Sequence, residues 1–398
     1  MGLSSCKYDH ARHRDGTGRR DDPGKTSSCL RRCGRHAARL ILGAACLMAA
    51  SLPIRADPLR VATFNTELGR DGPGLLLRDI ARGDDPQIAA AAQVIAHIDA
   101  DIILLQGIDY DLDALALNAF ADIVARAGAP YPVRFALRPN RGIQTGLDMD
   151  GDGLTGGPGD AQGFGDFSGA GGMAILSRLP VQMNGVKDYS DVLWRDLPDA
   201  LLPTIDGTAF PSAEAQALQR LSSSGHWVVP FTLPDGQSLT ILAFHAAPPV
   251  FDGPEDRNGR RNHDEIKFWQ HYLEGAFGLP ATARFVLMGD ANLDPLDSDG
   301  RHIAMRGLLN DPRFQDPQPA GAGGRMLANA DHAGDPALDT ADWDDPDPGN
   351  LRVDYVLPSS DWTVFDAGVF WPLPSHALAQ SVATASRHRI VWVDLSLD

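Results

Sequence analysis

Phe285-Val286-Leu287-Met288-Gly289-Asp290-Ala291-Asn292 decides how this chain is read. Four apolar residues in a row, stopped by Gly, have the length and character of a strand covered on both faces. The strand runs directly into a carboxylate and an amide. Residues i and i+2 of an extended chain point the same way, so Asp290 and Asn292 can face one ligand. One can orient a water or bind a hard cation while the other meets a phosphate oxygen. A Gly-Asp-x-Asn run is also a common turn, so its meaning depends on its company.

That company recurs along the chain. Leu59 to Asn65 alternates like a strand and ends on Asn65. Asp101 to Gln106 is an apolar run that ends on Gln106, and Leu239 to His245 ends on His245. Polar groups at successive strand ends suit a site built where strands stop. Asp354 interrupts the apolar run Val353 to Leu357, and a buried carboxylate needs a partner. His388 stands just before the strand Ile390 to Leu395. Together Asp354 and His388 would make an orienting acid and a general base or electrostatic catalyst.

The rest of the body alternates helix and strand signals. Ile88–Ile98, Leu112–Ala127, Ala213–Leu221 and Asn262–Glu274 read as helices. Val133–Leu137, Met173–Leu176 and Val364–Phe370 read as strands. Trp227–Leu233 and Leu239–His245 flank Pro234-Asp235-Gly236-Gln237, a hairpin signal. Residues 139–172 and 311–350 are rich in Gly, Pro and Asp and read as long loops. No linker divides the body, so residues 57–398 are expected to form one domain.

Phe64-Asn65, Asp101 to Gln106, Phe244-His245, Gly289-Asp290-Ala291-Asn292, Asp354-Tyr355 and Arg387-His388-Arg389 together resemble the endonuclease/exonuclease/phosphatase superfamily, in the family's order. The resemblance implies an α/β fold, a four-layer αββα sandwich of two mainly antiparallel sheets with helices outside. It implies a divalent-metal phosphoesterase using Mg²⁺ or Mn²⁺. Asn65 would match the metal-proximal Asn. Asp290 would match the Asp that orients or deprotonates water, and Asn292 the Asn that contacts phosphate. Asp354 would match the acid paired with the catalytic His, and His388 that His. His245 would match a second His of the deoxyribonuclease I branch. The stretch from Pro248 to Ile266 is similar to a bacterial exported branch of the superfamily.

Two positions depart from that pattern. The family's metal-binding Glu would fall at Gly107, which cannot ligate, and the residue before the last His is Arg387 instead of Asp. Three explanations stand side by side. Asp109 or Glu67, each two residues from a site position, substitutes as the metal acid. Alternatively metal binding is weak and the enzyme slow. Or the protein is a pseudoenzyme that binds anionic ligands. Under either of the last two, Gly107→Glu is expected to raise metal-dependent activity.

Two further features attract attention. Arg257, Arg261 and His263 precede or open a helix in an otherwise acidic body and suit phosphate contacts; a solvated loop with local ion pairs is the alternative. Asp148-Met149-Asp150-Gly151-Asp152-Gly153 matches the start of a calcium loop, with Asp148, Asp150 and Asp152 at positions 1, 3 and 5. Position 12 is Gly159 rather than Glu, so a weak structural Ca²⁺ site is the expectation.

Charge and composition bound the partners. The 398 residues carry a net −17, with 43% hydrophobic and 22% charged residues. Residues 1–56 hold 11 basic and 4 acidic residues, leaving 24 basic against 48 acidic in the rest, a net −24. Such a body repels a polyphosphate backbone, so long nucleic acid is a less favoured partner than a small phosphoester. All four cysteines lie before residue 57, which excludes a disulfide framework in the body. Arg31, Arg32, Arg35 and Arg39, the apolar run Leu40 to Leu52 and Ile54-Arg55-Ala56 read as an export signal, with a mature start near Asp57 and no transmembrane segment after it.

Overall fold

The computed structural model describes residues 58–397. The residues read as an export signal and the four cysteines lie outside the described residues. Eleven strands build two large sheets: β1 (Leu59–Asn65), β2 (Ile102–Ile108), β3 (Val133–Phe135), β4 (Gly172–Ser177), β5 (Lys187–Asp188), β6 (His226–Thr232), β7 (Ser238–His245), β8 (Phe285–Asp290), β9 (Asp354–Pro358), β10 (Val364–Val369) and β11 (Val391–Leu395). The first sheet runs β10-β11-β1-β2-β4-β3 and the second β9-β8-β7-β6-β5. Pairs β1/β2 and β7/β8 are parallel. The other pairs are antiparallel.

The layers follow from where successive side chains go. Val61, Leu104, Ile175 and Val393 meet Val229, Ile241, Val286 and Val356 between the sheets. Their neighbours in sequence face outward. Phe64, Ile103 and Leu105 pack under helices α1 (Leu75–Arg82), α2 (Pro86–Ile98) and α3 (Leu115–Ala127). Leu242, Phe244, Leu287 and Leu357 pack under Ile266, Trp269, Met305 and Leu308 of the helices Arg257–Leu273 and Ile303–Leu309. Each sheet is thus covered on both faces, which is why its central strands read as unbroken apolar runs. Each such side chain contributes on the order of 1.5–3 kcal/mol when fully buried. This is the four-layer αββα arrangement that the resemblance implies.

Several expectations shift. The helix placed at Asn262–Glu274 begins at Arg257, so the Arg cluster lies within its first turns. Helix α1 was not legible, because its eight residues follow Gly-Pro-Gly and carry only a short apolar stripe. The 311–350 segment is not all loop: it holds a helix, Ala322–Met326, and the short antiparallel pair Ala341–Asp342 with Asn350–Leu351. No helix among the described residues is long and apolar enough to cross a membrane.

The register sets up the site. Asp290, the last residue of β8, pairs with His245 of β7 on one side and Asp354 of β9 on the other. Three titratable side chains therefore stand abreast at one edge, His245 and Asp290 ending their strands and Asp354 beginning its own. Gly289 is required there, since a Cβ would lie 2.0 Å from the carbonyl oxygen of Phe244.

Candidate active site

The strand ends open into a cleft of about 600 Å³. Asn65, Glu67, Gly107, Arg141, His245, Asn292, Arg387 and His388 contribute to its lining. Asp290 and Asp354 lie beneath them, fully buried.

His388 Nδ1 lies 2.8 Å from Asp354 Oδ2, which also accepts from the Thr340 hydroxyl at 2.9 Å. That hydroxyl in turn accepts the backbone amides of Val353 and Asp354. The imidazole is thereby fixed with Nε2 turned away from Asp354, 3.4 Å from Asn65 Nδ2. Burial opposes charge on His388, but Asp354 and Asp290 overcome it and raise its pKa to about 9. Trp343 closes against the ring edge-on at 5.4 Å.

Asp290 stands between the two histidines. Its Oδ2 accepts from Asn65 Nδ2 at 2.8 Å and lies 3.5 Å from His245 Nε2. Its Oδ1 accepts the backbone amide of Asn292 at 2.8 Å. Burial, then repulsion from Asp354, raises its pKa to about 7. His245 is driven the other way: burial, with Arg141 and His388 nearby, pushes its pKa well below the usual value and keeps it neutral. Asn292 adopts a left-handed backbone, which Asn tolerates, and spends one amide hydrogen on the Ala246 carbonyl. The other has no partner among the described residues, and Asn292 lines the cleft.

The structure brings Asn65, His245, Asp290, Asn292, Asp354 and His388 together, as the strand-end pattern expects. Glu67 joins them at the rim, but its carboxylate is engaged. Arg387 grips one oxygen through Nε at 2.9 Å and through Nη2, while its backbone amide at 2.8 Å and the Ser386 hydroxyl at 3.1 Å reach the other. Burial works against the Glu67 charge, yet the Arg387 bonds hold its pKa below the usual value.

Asp109 does not face the cleft. Its two oxygens accept the backbone amides of Gly171 at 2.9 Å and Arg70 at 3.0 Å, tying two loops together. Arg257, Arg261 and His263 are also elsewhere. Arg257 binds the Met149 carbonyl. Arg261 is buried, and its guanidinium donates to the carbonyls of Leu221, Gln162, Arg220 and Ser222. His263 Nδ1 sits 2.8 Å from Asp264 Oδ1. These basic groups satisfy loop carbonyls and a helix acid, and none of the three lines the cleft.

Among the described residues, two groups of side chains could each offer three ligand atoms within 4.8 Å of one another: Asp290, Asp354 and His388, and Asp148, Asp150 and Asp152. The second is the acidic loop. Asp148 accepts the amides of Gly151 and Gly153, and Asp160 closes the loop by accepting the amides of Met149 and Gly157. In the first, His388 Nδ1 and Asp354 Oδ2 are held by each other and Thr340, and Asp290 Oδ2 by Asn65, while Asp354 Oδ1 is buried with no partner among the described residues. A metal placed beside Asn65, as the family arrangement requires, finds Gly107 where the acid should stand and a Glu67 carboxylate already bound by Arg387. A Cβ at Gly107 would lie 2.5 Å from Asn65 Oδ1, and the backbone there has φ +66°. Asn65 Oδ1 already accepts the Glu67 amide at 3.2 Å. The residues present do not fit the group.

Sequence reasoning missed Arg141 and Thr340. Arg141 lines the cleft from the aperiodic 139–172 loop, its Nε buried without a hydrogen-bond partner. Burial lowers its pKa, with Asp109, Asp290 and Glu265 opposing. Neither loop carries a periodic signal; the one sequence cue is a basic residue inside a long Gly-rich segment of an acidic body.

No curated protein matches the chain significantly. Among solved structures, the endonuclease/exonuclease/phosphatase from Beutenbergia cavernae DSM 12333 is similar at 20% identity, over 86% of this chain and 72% of that one, with a TM-score of 0.50. Sphingomyelinase C from Streptomyces griseocarneus is 17% identical over 85% of this chain and 99% of that one, TM-score 0.45. A mannosyl-6-phosphatase from Bacteroides thetaiotaomicron VPI-5482 is 15% identical over 85% and 100%, TM-score 0.44. The sequence profile of the Endonuclease/Exonuclease/phosphatase family matches residues 62–388, a span that runs from β1 to the cleft histidine. With that match and the sandwich fold, the chain belongs to the Endonuclease/Exonuclease/phosphatase family.

Proposed function

We propose that the cleft hydrolyses a phosphoester with water as nucleophile. Members of the family are mostly hydrolases of phosphoesters. The observation that carries the reading is the line His388–Asp354 beside Asp290. A charged imidazole and a buried carboxylate meet at one cleft, with His388 raised to about 9 and Asp290 raised to about 7. Environments that set an acid and a base near neutrality suit acid–base work.

In this reading Asp290 takes a proton from water as the water oxygen bonds to phosphorus. The bond to the leaving oxygen breaks, and that oxygen takes its proton from solvent. His388 Nε2–H and the free Asn292 amide hydrogen donate to the phosphoryl oxygens, where negative charge grows. Neutral His245 steadies Asp290 from the β7 side. No step passes through a metal ion.

Residues 31–56 support export of the chain, and the acidic body supports a small phosphoester over long nucleic acid. The paired Asp148, Asp150 and Asp152 support a weak Ca²⁺ site in the surface loop. A second reading, an anion-binding protein without turnover, is favoured by Gly107 and Arg387 at the two departing positions.

The test is hydrolysis of bis-p-nitrophenyl phosphate and p-nitrophenyl phosphate by the purified body, beside His388→Ala. Turnover lost in the variant supports the hydrolase. Phosphate binding without turnover of either ester supports the binding protein.

A further inference from the structure

We infer that this cleft neutralises the substrate phosphate with the guanidinium groups of Arg141 and Arg387, in place of a cation held by carboxylates. The inference rests on the cleft being the phosphoester site.

Three observations carry it. First, the wall that would supply a ligating acid is closed. Gly107 sits at a bulge between Gln106 and Ile108 of β2, and a Cβ there would meet Asn65 Oδ1 at 2.5 Å and the Glu67 amide nitrogen at 2.9 Å. Second, Glu67, the acid that does reach this wall, is gripped by Arg387. Its carboxylate anchors the Nε and Nη2 side of that guanidinium and leaves Nη1 unengaged among the described residues. A guanidinium carries five donors in a planar fork, so an anchored Arg can still present donors to an anion. Third, Arg141 lines the same cleft with no carboxylate in ion-pair contact among the described residues. Asp109, Asp290 and Glu265 act on Arg141 from nearby without an ion-pair contact, and its buried Nε has no hydrogen-bond partner, so its guanidinium can still take up an anion in the cleft.

The pattern is reciprocal. Where an acid would hold a cation there is glycine, and where a second acid is expected before His388 there is a cation. A divalent ion beside Asn65 would have to share this wall with Arg387, whose charge repels it.

The experiment pairs phosphate binding with cation binding. Inorganic phosphate is titrated calorimetrically into the purified protein in EDTA. Mn²⁺ binding is followed by electron paramagnetic resonance in an Asp150→Asn background, which removes the acidic loop from the signal. Expected are phosphate binding in EDTA, weakened at least about tenfold in Arg141→Gln and in Arg387→Gln, and no Mn²⁺ site at the cleft. Arg387→Lys keeps the charge without the fork and should fall between. Arg387→Asp should release Glu67 and create Mn²⁺ binding. Thermal melts identify any variant that fails to fold, and the Lys and Asp variants then carry the test.

Phosphate binding that needs Mn²⁺, or an Mn²⁺ site lost in Glu67→Gln, overturns the inference. Ester turnover that requires a metal overturns it while leaving the hydrolase reading intact. Phosphate bound through the arginines in EDTA, with no ester turned over, leaves the guanidinium site standing and removes the hydrolase reading.

Discussion

Asn65 Nδ2 donates to Asp290 Oδ2 at 2.8 Å, a hydrogen bond that joins the last residue of β1 in one sheet to the last residue of β8 in the other. The amide cannot turn over without losing the bond from the Glu67 amide to its Oδ1. Asn65 is thus a positioning residue for the carboxylate proposed as base.

Asn65→Ala should leave Asp290 Oδ2 short of a donor. That bond stabilises the ionised form, so its loss raises the Asp290 pKa further. Activity should fall about tenfold or more at pH 7, with partial recovery at higher pH. A pH–rate series of wild type and variant checks both the size and the direction.

Wild-type activity should be bell-shaped in pH. The ionised form of Asp290 is required and is lost as pH falls through about 7. The protonated form of His388 is required and is lost as pH rises through about 9. Asp354→Asn removes the main attraction holding the proton on His388, so the alkaline limb should move to lower pH. Rate profiles at fixed ionic strength read both limbs.

Gly107→Glu should not restore a metal site. The backbone is left-handed there and a Cβ collides with Asn65. Gly107→Ala alone should lower stability by about 1–3 kcal/mol, and Gly107→Glu by at least as much. Denaturant unfolding of both variants gives the number, and unchanged stability would mean that this wall has room for a side chain.

Arg261→Ala should be a stability mutation. It removes one donor from each of four loop carbonyls inside the protein, of which Gln162, Arg220 and Ser222 keep a second from Gln219 or Asn140, at about 2–4 kcal/mol. Phosphate affinity of the folded fraction should be unchanged. A selective loss of phosphate binding at full stability would return Arg261 to the cleft.

Ca²⁺ should slow proteolysis of the 139–172 loop, and Asp150→Asn should abolish the protection. Equal cleavage rates with Ca²⁺ and with EDTA would remove the ion from the loop.

Much of this site was legible before the fold was known. Asn65, His245, Asp290 and Asp354 each end or begin an apolar run, and a strand buried on both faces leaves polar residues few other places. The register that sets His245, Asp290 and Asp354 abreast then needs only adjacent strands. Arg141 and Thr340 were not legible, because they come from loops whose path depends on tertiary contacts. Arg261 was misread for a different reason: a guanidinium that satisfies buried carbonyls and one that awaits a phosphate look alike in sequence. Gly107 and Arg387 lie far apart in sequence, and only the fold shows Glu67 backing Gly107 with its main chain and binding Arg387 with its carboxylate.

The most direct test of the hydrolase reading is steady-state hydrolysis of bis-p-nitrophenyl phosphate and p-nitrophenyl phosphate by residues 57–398, beside His388→Ala. Assays run in EDTA and with Mg²⁺, Mn²⁺ or Ca²⁺ added. The expected result is turnover of at least one ester that persists in EDTA and falls at least about a hundredfold in the variant. No turnover of either ester under any condition, or equal rates for wild type and His388→Ala, would contradict it.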